Sequence, residues 1–228
     1  MALTLVIGNK NYSSWSLRPW IAMKVAGIGF EEIIIPLYEP GSREQILKYS
    51  PAGKVPVLID GDTAIWESLA ILEYLADKFP AAHLWPADPV ARGGARSISC
   101  EMHAGFQALR RGCTMNLWLP VKSRPQGDDV MADVARIEAI WRETRARFGK
   151  GGPFLFGPFG AADAMYAPVV ARFNTYGLPV VADTRAYMDA VMALPAWAEW
   201  TAAAMKEPWI MQHNEPDWPL VRGMPISA

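Results

Sequence analysis

The sequence predicts a small α/β domain followed by an all-helical one, and three observations carry that prediction. Up to residue 83, short apolar runs of strand length alternate with amphipathic segments; the stretch 84–91 contains Pro86 and Pro89 and no periodicity; beyond it, apolar residues recur every three or four positions with no strand-like alternation. We therefore divide the chain into a first domain at 1–83, a linker at 84–91 and an all-helical domain at 92–228. With 228 residues the chain is long enough for two domains, each burying a core of its own. Apolar residues at 51% and charged residues at 20% fit an ordinary globular protein and argue against extended disorder.

Residues 3–7 (LTLVI) read as a buried strand entering the polar loop 8–14. A helix follows, its apolar surface supplied by Leu17, Trp20, Ile21, Met23 and Val25. Gly27 and Gly29 end it, and Pro19 is tolerable only in a first turn. Residues 30–37 read as a second strand, parallel to the first if the helix between them is a crossover. After a polar stretch rich in Gly and Pro, residues 54–59 read as a strand, 60–62 as a tight turn and 63–66 as the hairpin partner. Ser68 then starts a helix in which Leu69, Leu72, Leu75 and Phe79 keep helical spacing, and Pro80 stops it. The order βαβ, then ββα, is that of a thioredoxin-like domain.

In the second half, Ile98, Met102, Phe106, Leu109, Cys113 and Leu117 step by three or four and read as one long helix; Val130, Val134, Ile137, Trp141, Thr144 and Phe148 read as another. A third helix is expected at 161–173, and a fourth and fifth flank Pro195. Cys100 and Cys113, 13 residues apart on that first helix, would lie about 20 Å from each other, too far for a disulfide, and read as core thiols.

Lys+Arg (22) and Asp+Glu (23) nearly cancel, which removes the overall field that would hold the chain on nucleic acid or an anionic membrane. No apolar run reaches the roughly 20 residues that span a bilayer, and the N-terminus lacks a signal-peptide pattern, so the expected location is the cytoplasm. His83, His103 and His213 show no metal-ligand spacing, no CxxC is present for disulfide exchange, and no metal is expected.

Three features of the first domain point to one ligand. The loop NYSSWSLR at 11–18 brings hydroxyls to a helix start, where unpaired amides and the positive end of the dipole favour an anion such as a thiolate. A helix-capping serine is the plainer reading of the same residues. Val55-Pro56 puts a proline into an apolar strand. Proline cannot donate to a ladder, so an edge strand is expected, whose free backbone groups along Val55 would suit an extended peptide. Glu67-Ser68 joins a carboxylate and a hydroxyl at a second helix start, suited to the ammonium and carboxylate of an amino acid. Each alone reads as ordinary structure.

In this order and frame, the three resemble the glutathione site of cytosolic glutathione transferases, and the Ser-Ser-x-Ser-x-Arg pattern at 13–18 is similar to the serine-type zeta class, which includes maleylacetoacetate isomerases. The resemblance spans nearly the whole chain and implies the glutathione transferase fold: a thioredoxin-like domain, then an all-α one. It implies that Ser13 or Ser14 stabilises the sulfur of glutathione, that Arg18 supports the loop or an anionic substrate, and that Lys54 reaches a glutathione carboxylate. Val55, beside a cis Pro56, would pair with the cysteinyl backbone, and Glu67 and Ser68 would hold the γ-glutamyl end. Lowering a thiol of pKa about 8.5 by two units takes roughly 2.7 kcal/mol, within reach of one charge-assisted hydrogen bond and a helix dipole. The electrophile pocket is expected between the domains, from Trp15, Met102, His103, Phe106, Arg110 and Trp118. The tail at 209–219 is read as an irregular extension or a cover for the cleft.

Two departures stand out. Trp15 occupies the place of the zeta-class cysteine, and Gly160 replaces the usual hydroxyl of the capping box, leaving Asp163 to cap alone. The expected activity is a glutathione transferase acting on a small electrophile by attack or isomerisation, as a homodimer. The alternatives are a non-catalytic scaffold of the same fold that binds protein partners, and a glutathione-dependent peroxidase.

Overall fold

The computed structural model describes residues 2–123 and 125–214. A four-stranded mixed sheet, β1 (Leu3–Ile7), β2 (Phe30–Ile34), β3 (Val57–Asp60) and β4 (Thr63–Trp66), has the order β2-β1-β3-β4. β1 and β2 are parallel, with Leu3 beside Phe30, and β1–β3 and β3–β4 are antiparallel. Strand alternation divides the apolar side chains between two layers. Leu3, Leu5 and Ile7 join the main core with α1 (Ser14–Val25) and α3 (Ser68–Lys78), while Val6 and Val57 meet Ile46 of α2 (Ser42–Leu47) on the other face. α2 has no counterpart in the sequence pattern, because six residues offer too little periodicity to register.

Two strand expectations are shortened. β2 stops at Ile34 and β3 starts at Val57, after Pro56. β3 is also an interior strand, not an edge: Pro56 is accommodated by preceding the ladder, and the Val55 backbone is outside the β3 ladder for the same reason. Pro19 sits in the second turn of α1, because Ser13 caps the helix earlier than expected; the Trp15 carbonyl loses its helical donor there.

The second half comprises α4 (Pro89–Ala104), α5 (Gln107–Gly112), α6 (Asp128–Phe148), α7 (Ala161–Thr175), α8 (Ala182–Met192) and α9 (Pro195–Ala204). Helix α7 is buried along nearly its whole length and packs on both α1 and α4, so it is the axis joining the sheet layer to the bundle. Trp141 of α6 meets Tyr166, Phe173 and Tyr187 there with ring centroids 4.6–5.6 Å apart. The single helix expected through 98–117 is broken. α4 ends at Ala104, where Gly105 turns to an extended conformation (φ -99°, ψ -168°) that would hold a Cβ 2.7 Å from the Glu101 carbonyl, and Phe106 turns into the left-handed region with φ 60°. Cys113 is the core thiol expected, whereas Cys100 is exposed, against the expectation. Asp163 caps α7 by accepting from Gly160 N–H (2.9 Å) and Leu155 N–H (3.0 Å), and Gly160 has no side chain to return the bond. Among the described residues no helix is long and apolar enough to cross a membrane.

Candidate active site

A cleft of about 980 Å³ opens between the sheet layer and the bundle. Its walls come from the loop at 12–15, the segments 37–43 and 53–56, Trp66 and Glu67, then His103, Arg110, Thr114, Met115 and Arg172 from the helical side. Met211, His213 and Asn214 complete it. The tail through Asn214 therefore does line the cleft; residues 215–219 of the expected extension lie outside the described residues.

Ser13 and Ser14 both line this cleft, and their hydroxyls are employed differently. Ser13, the N-cap of α1, accepts weakly from Ser16 N–H (3.4 Å) and donates its proton to Ser16 Oγ (2.8 Å), which in turn accepts from Gly8 N–H. A Cβ at Gly8 would stand 2.6 Å from the end of the Leu37 side chain, which would have to shift to admit it. Ser14 Oγ accepts from Arg172 Nη2 (3.4 Å) and keeps its own proton uncommitted among the described residues. Arg172 is buried, and its other arm donates to the Cys113 and Arg110 carbonyls. Burial and the neighbouring Arg110 charge lower its pKa to about 10, so it remains a cation at neutral pH, directly behind Ser14.

The loop is held from the far end of the chain. Asn11, fully buried, accepts from Leu117 N–H (2.7 Å) and Trp118 N–H (3.0 Å) and donates to Asn116 Oδ1 (3.0 Å). The Glu207 carboxylate accepts from the amides of Lys10 (2.6 Å) and Asn11 (2.9 Å), and burial raises its pKa. Sequence reasoning missed both anchors. A buried polar residue next to the serines was a signal for Asn11; Glu207, some 197 residues away, had none.

Of the other residues singled out, Lys54, Val55, Pro56 and Glu67 line the cleft, and the Val55–Pro56 peptide is cis. Glu67 caps α3 with φ 70°, a conformation uncommon for a residue with a side chain. Ser68 is fully buried behind this wall, its hydroxyl accepting from Arg18 Nη1 (3.3 Å); what its helix turn can offer a ligand is backbone N–H. Arg18 is likewise fully buried and off the cleft wall, which removes it as a direct glutathione contact. Trp15, His103 and Arg110 are on the wall, with His103 Nε2 3.5 Å from Glu67 Oε2. Burial, reinforced by the Arg18 charge, holds His103 below the usual histidine pKa against the pull of Glu67.

Met102, Phe106 and Trp118 are not on the wall. Met102 and Phe106 point into the core beside the helix break, and Trp118 packs on Tyr12 while donating to the Ala204 carbonyl. Arg172 was legible in principle as a lone cation in an apolar helix.

Sequence models of the family match in both halves: the glutathione S-transferase N-terminal domain over residues 12–78 and its C-terminal domain over 107–203. A probable maleylacetoacetate isomerase of Caenorhabditis elegans is 36% identical over 171 residues, 73% of this chain and 77% of that protein. The maleylacetoacetate isomerase of Rattus norvegicus is 41% identical over 169 residues, 72% and 76% of the two chains. A zeta-class glutathione S-transferase of Euphorbia esula is 39% identical over 169 residues, 71% and 74%. Among solved structures, a Burkholderia glutathione transferase homolog with bound glutathione superposes with TM-score 0.70 at 21% identity, covering 91% of this chain and 100% of that one. With matches in both halves and relatives covered over about three quarters of their length, this chain belongs to the glutathione S-transferase family.

Proposed function

We propose that the protein binds glutathione in this cleft and activates its thiol for attack on, or isomerisation of, a small electrophile, with Ser14 as the hydrogen-bond donor to the thiolate. The observation that carries the choice of serine is the distribution of protons: that of Ser13 is spent on Ser16, while Ser14 accepts from a guanidinium and has its own proton left to give. A charge-assisted hydrogen bond contributes about 1.5–3 kcal/mol, which lowers a thiol pKa from about 8.5 by about 1–2 units. The Arg172 cation behind Ser14 adds in the same direction.

The remaining contacts follow from the walls. The Val55 backbone, outside the β3 ladder, pairs with the peptide of glutathione; Glu67 takes the γ-glutamyl ammonium and the amides at the start of α3 its carboxylate; Lys54 reaches the glycyl carboxylate. The matched relatives named as isomerases and transferases, and the glutathione bound in the Burkholderia homolog, support this reading. A cytoplasmic homodimer is part of the proposal; a light-scattering mass near the 25.2 kDa of one subunit would overturn the dimer.

Calorimetric titration with glutathione, followed by thiolate absorbance against pH, tests the mechanism. Wild type and Ser13→Ala should bind glutathione with a depressed thiol pKa, and Ser14→Ala should return it toward 8.5. Restoration by Ser13→Ala alone would reverse the assignment. No binding at millimolar glutathione would refute the enzyme reading and leave a scaffold.

A further inference from the structure

Trp15 stands between the cleft and an arginine whose guanidinium is only partly engaged. Its indole lines the cleft; Arg18, behind it and fully buried, lies with Cζ 4.2 Å from the indole centroid. Arg110 approaches the same ring at 5.2 Å and His103 meets it edge-on at 5.0 Å. Arg18 Nη1 donates to Ser68 Oγ, but its Nε and Nη2 have no hydrogen-bond partner among the described residues. Those two atoms form the side-on fork of a guanidinium. In the same molecule the identical pair on Arg96 grips Glu73, and on Arg136 grips Glu101, each through two bonds of 2.7–2.9 Å. Arg18 thus carries a carboxylate-sized fork in the interior that no described side chain engages.

A buried fork of this kind is costly unless something compensates it, and the aromatic face of Trp15 is the neighbour able to do so. The Arg110 and Arg172 charges nearby repel Arg18, and Glu67 attracts it only weakly in comparison. An oxyanion entering the cleft would be drawn toward these cations, and the indole stands in its way.

We propose that Trp15 is the specificity-determining residue of the cleft: its indole masks the Arg18 fork, so that the cleft presents an aromatic wall to uncharged electrophiles and denies carboxylate- or sulfate-like oxyanions their strongest partner. The site inference goes beyond the glutathione reading and rests on it only for its kinetic consequence.

Inorganic sulfate, titrated calorimetrically at constant ionic strength and without glutathione, is the primary probe. Trp15→Ala should bind sulfate at least about tenfold more tightly than wild type, Trp15→Phe should stay close to wild type, and adding Arg18→Met to Trp15→Ala should remove the gain. Arg18→Lys in the same background, which keeps the charge but loses the fork, should remove most of it and serves if the methionine variant does not fold. Circular dichroism establishes folding, and Trp15→Leu replaces Trp15→Ala if needed. No gain in the small-side-chain variant, or a gain that survives the change at Arg18, overturns the proposal. Given glutathione activity, the ratio of kcat/KM for 4-chloro-3-nitrobenzoate over 1-chloro-2,4-dinitrobenzene should rise about tenfold in Trp15→Ala. Lost glutathione activity with retained sulfate behaviour would refute the enzyme reading alone.

Discussion

Replacing Asn11 by alanine tests the anchoring of the serine loop most directly. The side chain is fully buried and makes three hydrogen bonds, and they do not weigh equally. Trp118 N–H is shared with Asn116 Oδ1 (3.1 Å) and keeps an acceptor after the substitution, whereas Leu117 N–H, at 2.7 Å from Asn11 Oδ1, is left buried without one. Stranding that amide costs about 1–3 kcal/mol, and losing the Asn11–Asn116 bond about 1 kcal/mol more. The sum, about 2–4 kcal/mol, corresponds to a fall of about 4–16 °C in Tm for a chain of this size. Urea unfolding followed by fluorescence should show a lower midpoint with unchanged slope, and glutathione turnover should fall at temperatures where the variant is still folded. A loss below about 1 kcal/mol would refute the view that the helical half holds this loop through Asn11.

Other consequences are open to measurement. Native protein treated with a maleimide at pH 7.5 should label Cys100 and leave Cys113, which burial pushes to about 11, unmodified until denaturant is added; equal labelling of both would contradict the placement of the second thiol. Burial raises Asp163 to about 6 from 3.8, so the folded chain holds a proton there that the unfolded chain has released. Its stabilising contribution is therefore complete below pH 3.8 and is lost as pH rises through 6, by about 3 kcal/mol. Unfolding free energies at pH 4 and 6.5 should show about 2 kcal/mol of that decline for wild type relative to Asp163→Asn, and parallel profiles would disprove it. Glu207→Ala should cost about 1–3 kcal/mol by freeing the amides of Lys10 and Asn11, with a larger proportional loss in glutathione affinity than in Tm. His213→Ala removes a cleft wall residue that meets Tyr38 edge-on at 4.4 Å, and should raise KM for the electrophile severalfold while leaving kcat nearly unchanged.

Most of the architecture was legible because it rests on local periodicity. β1, the β3–β4 hairpin and α3 follow from alternation, the turn around Gly61 and the spacing of Leu69, Leu72 and Leu75; α6 and α7 follow from apolar steps of three and four. What escaped depends on contacts between distant segments. An unbroken apolar period through Met102, Phe106 and Leu109 cannot reveal that Gly105 meets a carbonyl too closely for any other residue. That same period drew Met102 and Phe106 into the electrophile pocket when it was reporting core. The first wall of the site, Ser13, Ser14, Trp15, Lys54, Val55, Pro56 and Glu67, lies in loops next to element ends, where residue type and position carry information. On the opposite wall, Thr114 and Met115 are brought to the cleft by packing and have no local signature.

The hold of Glu207 on residues 10 and 11 also sets a timetable. The strands of the first half pair with one another within the first 66 residues and can form while the chain is still being synthesised, whereas α1 also packs on α7. The serine loop cannot be finished then, since its acceptors at 116 and 207 are made later, the second nearly 200 residues after the amides it binds. A nascent chain released before Glu207 is added would carry a formed sheet and an unfinished serine loop, so that this wall of the cleft is completed only when nearly the whole bundle has been translated.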